Sequence, residues 1–364
     1  MIREKIIVMP EPHIWDKNIS TRIDYVGEIK EYMQEVKSII EGETLDGSRV
    51  SVVWAGDIFH RGFNNVDEVL YWYTYFLELA GITEGRMYSV VGNHELSYYK
   101  GNPFWYLTSE MNSELLKGQR GLAYTPLGSI NILNVTDRVE IGDRVVVSLG
   151  HYNTQPKPVE GKVNVLVTHN SIIEEEIGRV LRNKYDRDPL EHFIDYSYVR
   201  TNKPFEGFEY AFVGHMHKAY GLFTIDYGED NIPDTRLRYL GSIGRTNSDE
   251  VQDNDRERVI PVLTIERSGE VIVEERTLTL RSRTETLDMG KMEESEKRYD
   301  KVKERKELEK VEYLLGSPID TVRKSLSKYP ALLVWLDDSL TDKVPDFIIG
   351  LQNEVYEGRN EKWN

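Results

Sequence analysis

The chain has 364 residues, 39% of them apolar and 30% charged, which is enough apolar material for a sizeable core and a length that suggests two or three domains. Lys plus Arg number 46 against 62 Asp plus Glu, and the formal net charge of −16 excludes a generally basic surface for gripping nucleic acid, so any polyanion site has to be local. The absence of cysteine excludes disulfides, thiolate metal sites, iron–sulfur clusters and cysteine nucleophiles, leaving nitrogen and oxygen as metal donors.

The first apolar run, Ile6-Ile7-Val8-Met9, reads as a buried strand and is too short for a secretion signal. No eighteen apolar residues follow one another anywhere, so a cytoplasmic protein without a membrane span is expected. Further buried strands are predicted at Val50–Ala55, Tyr88–Val91, Val145–Leu149, Val163–Val167 and Tyr210–Val213. Between the first three lie two stretches of helical period. One carries Ile23, Val26, Ile29, Met33, Val36 and Ile40; the other carries Val66, Val69, Leu70, Tyr73, Phe76, Leu77 and Ala80 as its core stripe. Alternating strand and helix predicts a layered α/β core. The second helix also bears Tyr71, Trp72, Tyr75 and Leu79, so it needs cover on two sides, within its own domain or in a homodimer through residues 66–80.

From Leu237 to Thr279 short alternating runs predict a hairpin turning at Ser268-Gly269 and closing the sheets. Lys291 to Glu312 holds sixteen charged residues in twenty-two, eight of each sign, and reads as a solvated helix or linker. Residues 317–364 regain apolar content but are few for independent folding, which suggests a module that needs a partner surface. The expected division is a core over 1–236, closing strands and a cap over 237–284, a charged helical linker over 285–316 and a helical partner-binding module over 317–364.

Six of the eight histidines sit where predicted strands end: His13, His60, His94, His169, His215 and His217. Ligands collect beyond the carboxyl ends of strands in layered α/β folds, so these loops should meet at one edge and build a polynuclear metal site. Any one of them alone reads better as a surface or satisfied core histidine. The ordered set Glu11-Pro12-His13, Gly56-Asp57-Ile58-Phe59-His60, Gly92-Asn93-His94-Glu95, Thr168-His169 and Gly214-His215-Met216-His217 is far more specific.

With those motifs, residues 1–280 resemble the calcineurin-like metallophosphoesterase superfamily. The resemblance implies a four-layer α/β/β/α sandwich with a small β-rich cap and a helical C-terminal module. It implies two divalent ions, manganese in the family's nucleases with Mg²⁺, Fe²⁺ or Zn²⁺ as alternatives, bridged by Asp57. Glu11, His13, Asp57 and His217 then hold one ion, and Asp57, Asn93, His169 and His215 the other. His94 matches the acid that protonates the leaving group, and Glu95 either orients His94 or caps the loop. The Phe59-His60 pair and the Gly241-Ser242 loop followed by Arg245-Thr246-Asn247 are similar to those of the double-strand-break repair nucleases, in particular bacteriophage subunits of the SbcD type. There His60 helps position the phosphate, with Arg245 and Arg61 as candidate phosphate contacts. The implied partners are DNA and a coiled-coil ATPase of the SbcC kind. A phosphomonoesterase or small-nucleotide phosphodiesterase on the same scaffold, and a scaffold with a degenerate metal site, are the alternatives. One departure stands out, since Glu11 occupies a position where the family carries Asp; the longer acid still ligates hard metals, with Asp16 as a possible substitute. The aromatic loop 98–106 reads as the start of a packed helix or as a base-stacking surface.

Overall fold

The computed structural model describes residues 3–97, 102–108, 132–173, 197–198, 203–227, 233–247, 250–266, 268–294 and 297. The chain divides into two compact units, Met1–Lys291 and Met292–Asn364, and nearly all described residues belong to the first. The module expected at 317–364 lies outside them, as does most of the linker expected over 285–316, of which 285–294 and 297 are described. In chain order the first half contains β1 (Glu4–Met9), α1 (Tyr25–Thr44), β2 (Arg49–Trp54), α2 (Val66–Ile82), β3 (Met87–Ser89), the short helices α3 (Asn93–Ser97) and α4 (Phe104–Leu107), and β4 (Arg138–Ile141). There follow β5 (Val145–Gly150), β6 (Val163–Thr168), the two-residue strands β7 (Ile172–Ile173) and β8 (Ser197–Tyr198), and β9 (Tyr210–Val213). Last come β10 (Tyr220–Ile225), β11 (Thr235–Tyr239), β12 (Glu257–Ile265), β13 (Val271–Thr279) and α5 (Arg283–Thr286).

Two mixed sheets form, with strand orders β13-β12-β1-β2-β3 and β10-β11-β9-β6-β5-β4. The parallel strands are buried on both faces and are therefore apolar on both, which explains why their sequences lack a polar alternation. Ile6 and Val8 of β1, with Val53 of β2 and the following Ala55, meet Val147, Leu149, Val165, Val167 and Phe212 between the sheets. The alternate residues Ile7, Met9, Val52 and Trp54 face α1 and α2. On the far side of the second sheet, Leu166, Ala211, Val213 and Leu237 pack under Phe205 and Phe208. The outer helical layer expected on that side is not among the described residues.

Asp24 starts α1 by accepting from the Gly27 N–H at 3.0 Å, and Tyr25, Ile29, Met33, Val36 and Ile40 bury one stripe. Ile23, expected at the head of that stripe, precedes the helix and is 57% exposed. The faces of α2 differ from expectation. Trp72, Tyr75, Phe76, Leu79 and Ala80 are buried, whereas Val66, Leu70 and Leu77 of the expected core stripe are 69%, 58% and 41% exposed. The rings decide the matter: Phe76 packs edge-on against Trp54, and the Tyr75 hydroxyl donates to the Met33 carbonyl of α1.

β12 and β13 pair antiparallel around the Ser268-Gly269 turn, and β12 lies along β1 with Ile265 opposite Glu4. β12 and β13 are thus the closing strands expected within 237–284, and they cover the edge that β1 would otherwise leave unpaired. Among the described residues no helix is long and apolar enough to cross a membrane.

Candidate metal centre

β1, β2 and β3 run parallel in one sheet and β6 and β9 in the other, and the loops after their carboxyl ends converge. The loops after β1 and β2 keep pairing beyond the strands: His13 N–H donates to Asp57 O at 3.1 Å and Ile14 N–H to Ile58 O at 2.8 Å. His13, Asp57 and His215 each take a left-handed backbone, with φ of 48°, 45° and 68°. For residues with a Cβ this costs on the order of 1–2 kcal/mol each, a concentration of strain typical of functional sites.

Three small clusters of donors result. His13 Nε2 lies 3.3 Å from Glu11 Oε2, and His217 Nε2 lies 3.8 Å from the same oxygen. His169 Nε2 lies 3.3 Å from Asp57 Oδ2 and 2.9 Å from Asn93 Oδ1, and His215 Nδ1 lies 3.1 Å from Asn93 Oδ1. His13, His60 and His94 form the third. Hydrogen bonds assign the rings. His169 Nδ1 faces the Ala55 carbonyl at 2.8 Å, which can only accept, so Nδ1 carries the proton and Nε2 presents its lone pair. That lone pair, Asn93 Oδ1 and Asp57 Oδ2 then point at one another with no donor among them. Asp57 Oδ2 is buried without a hydrogen-bond partner. A convergence of buried acceptors is what a hard or borderline divalent cation needs, so the residues fit the metal pair that the motifs imply.

Glu11 is fully buried and uses its extra length. Oε2 faces His13 and His217, while Oε1 accepts the backbone N–H of His215. Gly214 makes the room, since a Cβ there would stand 2.4 Å from Glu11 Oε1. Asp16 does not substitute: its Oδ2 accepts from Asn64 and Asn65 N–H at 2.6 and 3.0 Å, at the start of α2. Asp57 Oδ1 accepts from the His94 N–H at 2.9 Å. Glu95 holds the loops, its Oε2 accepting from Asp57 N–H at 3.0 Å and Gly92 N–H at 2.9 Å.

Burial, followed by the charges of Asp57 and Glu95, raises Glu11 well above the ordinary carboxylate range. Burial lowers His13 well below the usual histidine range, and it holds His60 and His215 at about 3, with His94 and His169 adding to the respective effects. His217 behaves oppositely. Burial disfavours its charged form, but a hydrogen bond from Nδ1 to Glu250 Oε1 at 2.8 Å outweighs it and leaves the imidazole raised.

Histidines 60 and 94 sit together beside these clusters. Their rings meet at a tilt with centres 4.6 Å apart, His60 Nδ1 approaches His13 Nδ1 at 3.5 Å, and His94 Nδ1 donates to the His60 carbonyl at 2.5 Å. Fixing the His94 proton on Nδ1 turns Nε2 toward Asp57 Oδ2 at 3.8 Å. Arg61 is exposed, with its guanidinium 5.4 Å from the Trp15 ring centre, and Trp15 in turn contacts His60. Arg245 is elsewhere. It is 1% exposed, donating to Glu28 Oε1 at 3.5 Å and Arg281 O at 2.8 Å in an internal cluster with Arg22, so its guanidinium is turned into the fold and does not reach a phosphate at the site. Of the aromatic loop, Phe104, Trp105 and Leu107 are buried in α4, in keeping with the packed-helix reading, and 98–101 lie outside the described residues.

Three contributors carry no motif. Glu250 orients His217. His151 accepts from the Val91 N–H at 3.0 Å just before Gly92, and Tyr152 sets its ring 5.8 Å from that of His215. His151 stands two residues past the strand predicted at Val145–Leu149, the one local signal that could have found it.

A profile of the calcineurin-like phosphoesterase family matches residues 5–219. No curated protein matches the chain. Among solved structures it is similar to the Thermus thermophilus sulfate thiohydrolase SoxB in complex with glycerol, at 12% identity and a TM-score of 0.32, covering 77% of this chain and 57% of that one. It is also similar to Haemophilus influenzae NAD nucleotidase, at 11% identity and a TM-score of 0.33, covering 77% and 56%. The chain spans little more than half the length of either.

Proposed function

Because the chain belongs to the calcineurin-like phosphoesterase family, we propose that it is a metal-dependent phosphodiesterase acting on DNA, a nuclease subunit that works with an SbcC-like coiled-coil ATPase in recombination or break processing. The observation that supports the nuclease reading best is His60, its ring packed against those of His94 and His13, where the resembling nucleases use this histidine to position the phosphate. Glu11, His13, Asp57 and His217 would hold one divalent ion, manganese by the resemblance, and Asp57, Asn93, His169 and His215 the other. When bound, the ions supply Lewis acidity that offsets the phosphate charge and makes water a competent nucleophile.

The protein's own residues do the rest. With Nδ1–H held by the His60 carbonyl, a protonated His94 presents its second proton on Nε2. Water oxygen bonds to phosphorus, giving up one proton to solvent, as the bond to the leaving oxygen breaks; that oxygen takes the electron pair and the Nε2 proton, and solvent then reprotonates His94. Asp57 keeps His94 in place through its backbone N–H. Arg61, beside Trp15 and His60, offers charge to a neighbouring phosphate. Val66, Leu70 and Leu77, exposed on one side of α2, support a homodimer through that helix.

The net charge of −16 favours the second reading, a phosphomonoesterase or small-nucleotide phosphodiesterase, since an acidic surface repels a polyanion. Purified protein with Mn²⁺ should degrade end-labelled duplex DNA, and EDTA or His94→Ala should stop it. Hydrolysis of para-nitrophenyl phosphodiester without DNA cleavage, even with the cognate ATPase added, would refute the DNA reading in favour of the second.

A further inference from the structure

The stretch from Gly241 to Glu250 backs one ligand cluster and not the other. Ser242 N–H donates to His217 O at 3.0 Å, and Ile243 N–H to Glu11 O at 2.7 Å. Gly244 abuts the chain just before His13 so closely that a Cβ would stand 2.1 Å from Pro12 O. At its end Glu250 Oε1 accepts from His217 Nδ1 at 2.8 Å and from Asn247 Nδ2 at 2.7 Å, and Oε2 accepts from Asn247 N–H at 3.2 Å. The carboxylate is therefore itself pinned before it touches the imidazole. A carboxylate accepts only, so His217 carries its proton on Nδ1 and turns its Nε2 lone pair toward Glu11 Oε2. His169 in the other cluster is oriented the same way, but by the neutral Ala55 carbonyl.

We infer that Glu250 is the positioning residue of the Glu11–His13–Asp57–His217 metal site, where it fixes the ring and tautomer of His217 and makes that imidazole a stronger ligand, with no comparable effect on the Asn93–His169–His215 site. A charged acceptor behind a metal-bound histidine raises its basicity, and loss of such a partner typically weakens metal binding 10- to 100-fold. The inference rests on the two-metal reading of the centre and not on DNA as the substrate.

Mn²⁺ binding by calorimetry and the electron paramagnetic resonance of the bound ions, on the full chain, test it. Glu250→Gln keeps the shape and an acceptor oxygen but removes the charge. It should weaken one of two sites about 10- to 100-fold, spare the other, and replace the coupled two-ion spectrum by that of a single ion at intermediate Mn²⁺. The melting temperature in EDTA measures the separate cost to folding, since the bonds of Glu250 to His217 and Asn247 exist without metal. In a His217→Ala background Glu250→Gln should have no further effect, whereas in a His215→Ala background its loss should add in full. Wild-type affinity at both sites, equal weakening of both, or an additive loss on His217→Ala would overturn the inference. A wild type that binds two ions but leaves DNA intact sinks the nuclease reading alone; one that binds a single ion sinks the two-metal reading.

Discussion

Replacing Glu11 by Asp should weaken metal binding, although aspartate is what the resembling family carries there. The Glu11 carboxylate bridges two demands: Oε1 accepts the buried His215 N–H while Oε2 sits 3.3 Å from His13 Nε2 and 3.8 Å from His217 Nε2. Aspartate withdraws the carboxylate by roughly one C–C bond, about 1.5 Å, and cannot meet both. If it keeps the metal side, a buried backbone donor loses a charge-assisted hydrogen bond, which costs about 1.5–3 kcal/mol. That corresponds to about a 10- to 150-fold loss of affinity at the affected site. Without metal the shorter acid is free to keep the His215 bond, so the metal-free variant should melt close to wild type and the loss should appear on binding. Calorimetric Mn²⁺ titration of wild type and Glu11→Asp, with melting curves in EDTA, measures both effects. Tighter binding, or one site in wild type becoming two in the variant, would refute the view that glutamate completes this site, and a metal-free melt lowered by many degrees would assign the loss to folding instead.

Three further outcomes follow from the same geometry. Gly92→Ala would place a Cβ 2.1 Å from Asp57 Oδ1 and 2.7 Å from Asp57 N, so urea denaturation should show a loss above about 3 kcal/mol; an unchanged midpoint would mean the loop yields freely. His94→Gln should retain both Mn²⁺ ions while kcat falls about 10²- to 10⁴-fold, and full activity would assign the leaving-group proton to another donor. Acidification should empty the two sites in order. Glu11 and His217, both raised, hold protons to higher pH and must lose them to bind metal, whereas His215, lowered to about 3, stays neutral. The Glu11 site should therefore weaken first as pH falls from neutrality, measured by Mn²⁺ titration at successive pH values; simultaneous loss, or loss of the His215 site first, would contradict this.

The strands and the set of histidines at their ends were legible in the sequence because both signals are local. A buried parallel strand is a short apolar run, and a ligand that must stand at a strand's end stays a fixed few residues beyond it. Nine of the motif positions, from Glu11 to His217, lie together at the converging loops as that logic implies. What tertiary structure alone decided are the cases where local pattern is degenerate or the partner is remote. Helix α2 is apolar on two sides, so its period could not say which side meets Trp54 and Phe59. Arg245 looks like an exposed loop cation until Glu28, 217 residues away in sequence, draws it inside. Glu11 reads as an oversized aspartate until Gly214 opens the space and His215 supplies the N–H. Glu250 belongs to no metal motif, and only the close return of its loop onto His217 gives it a role, since a hydrogen bond depends on distance in space and not along the chain.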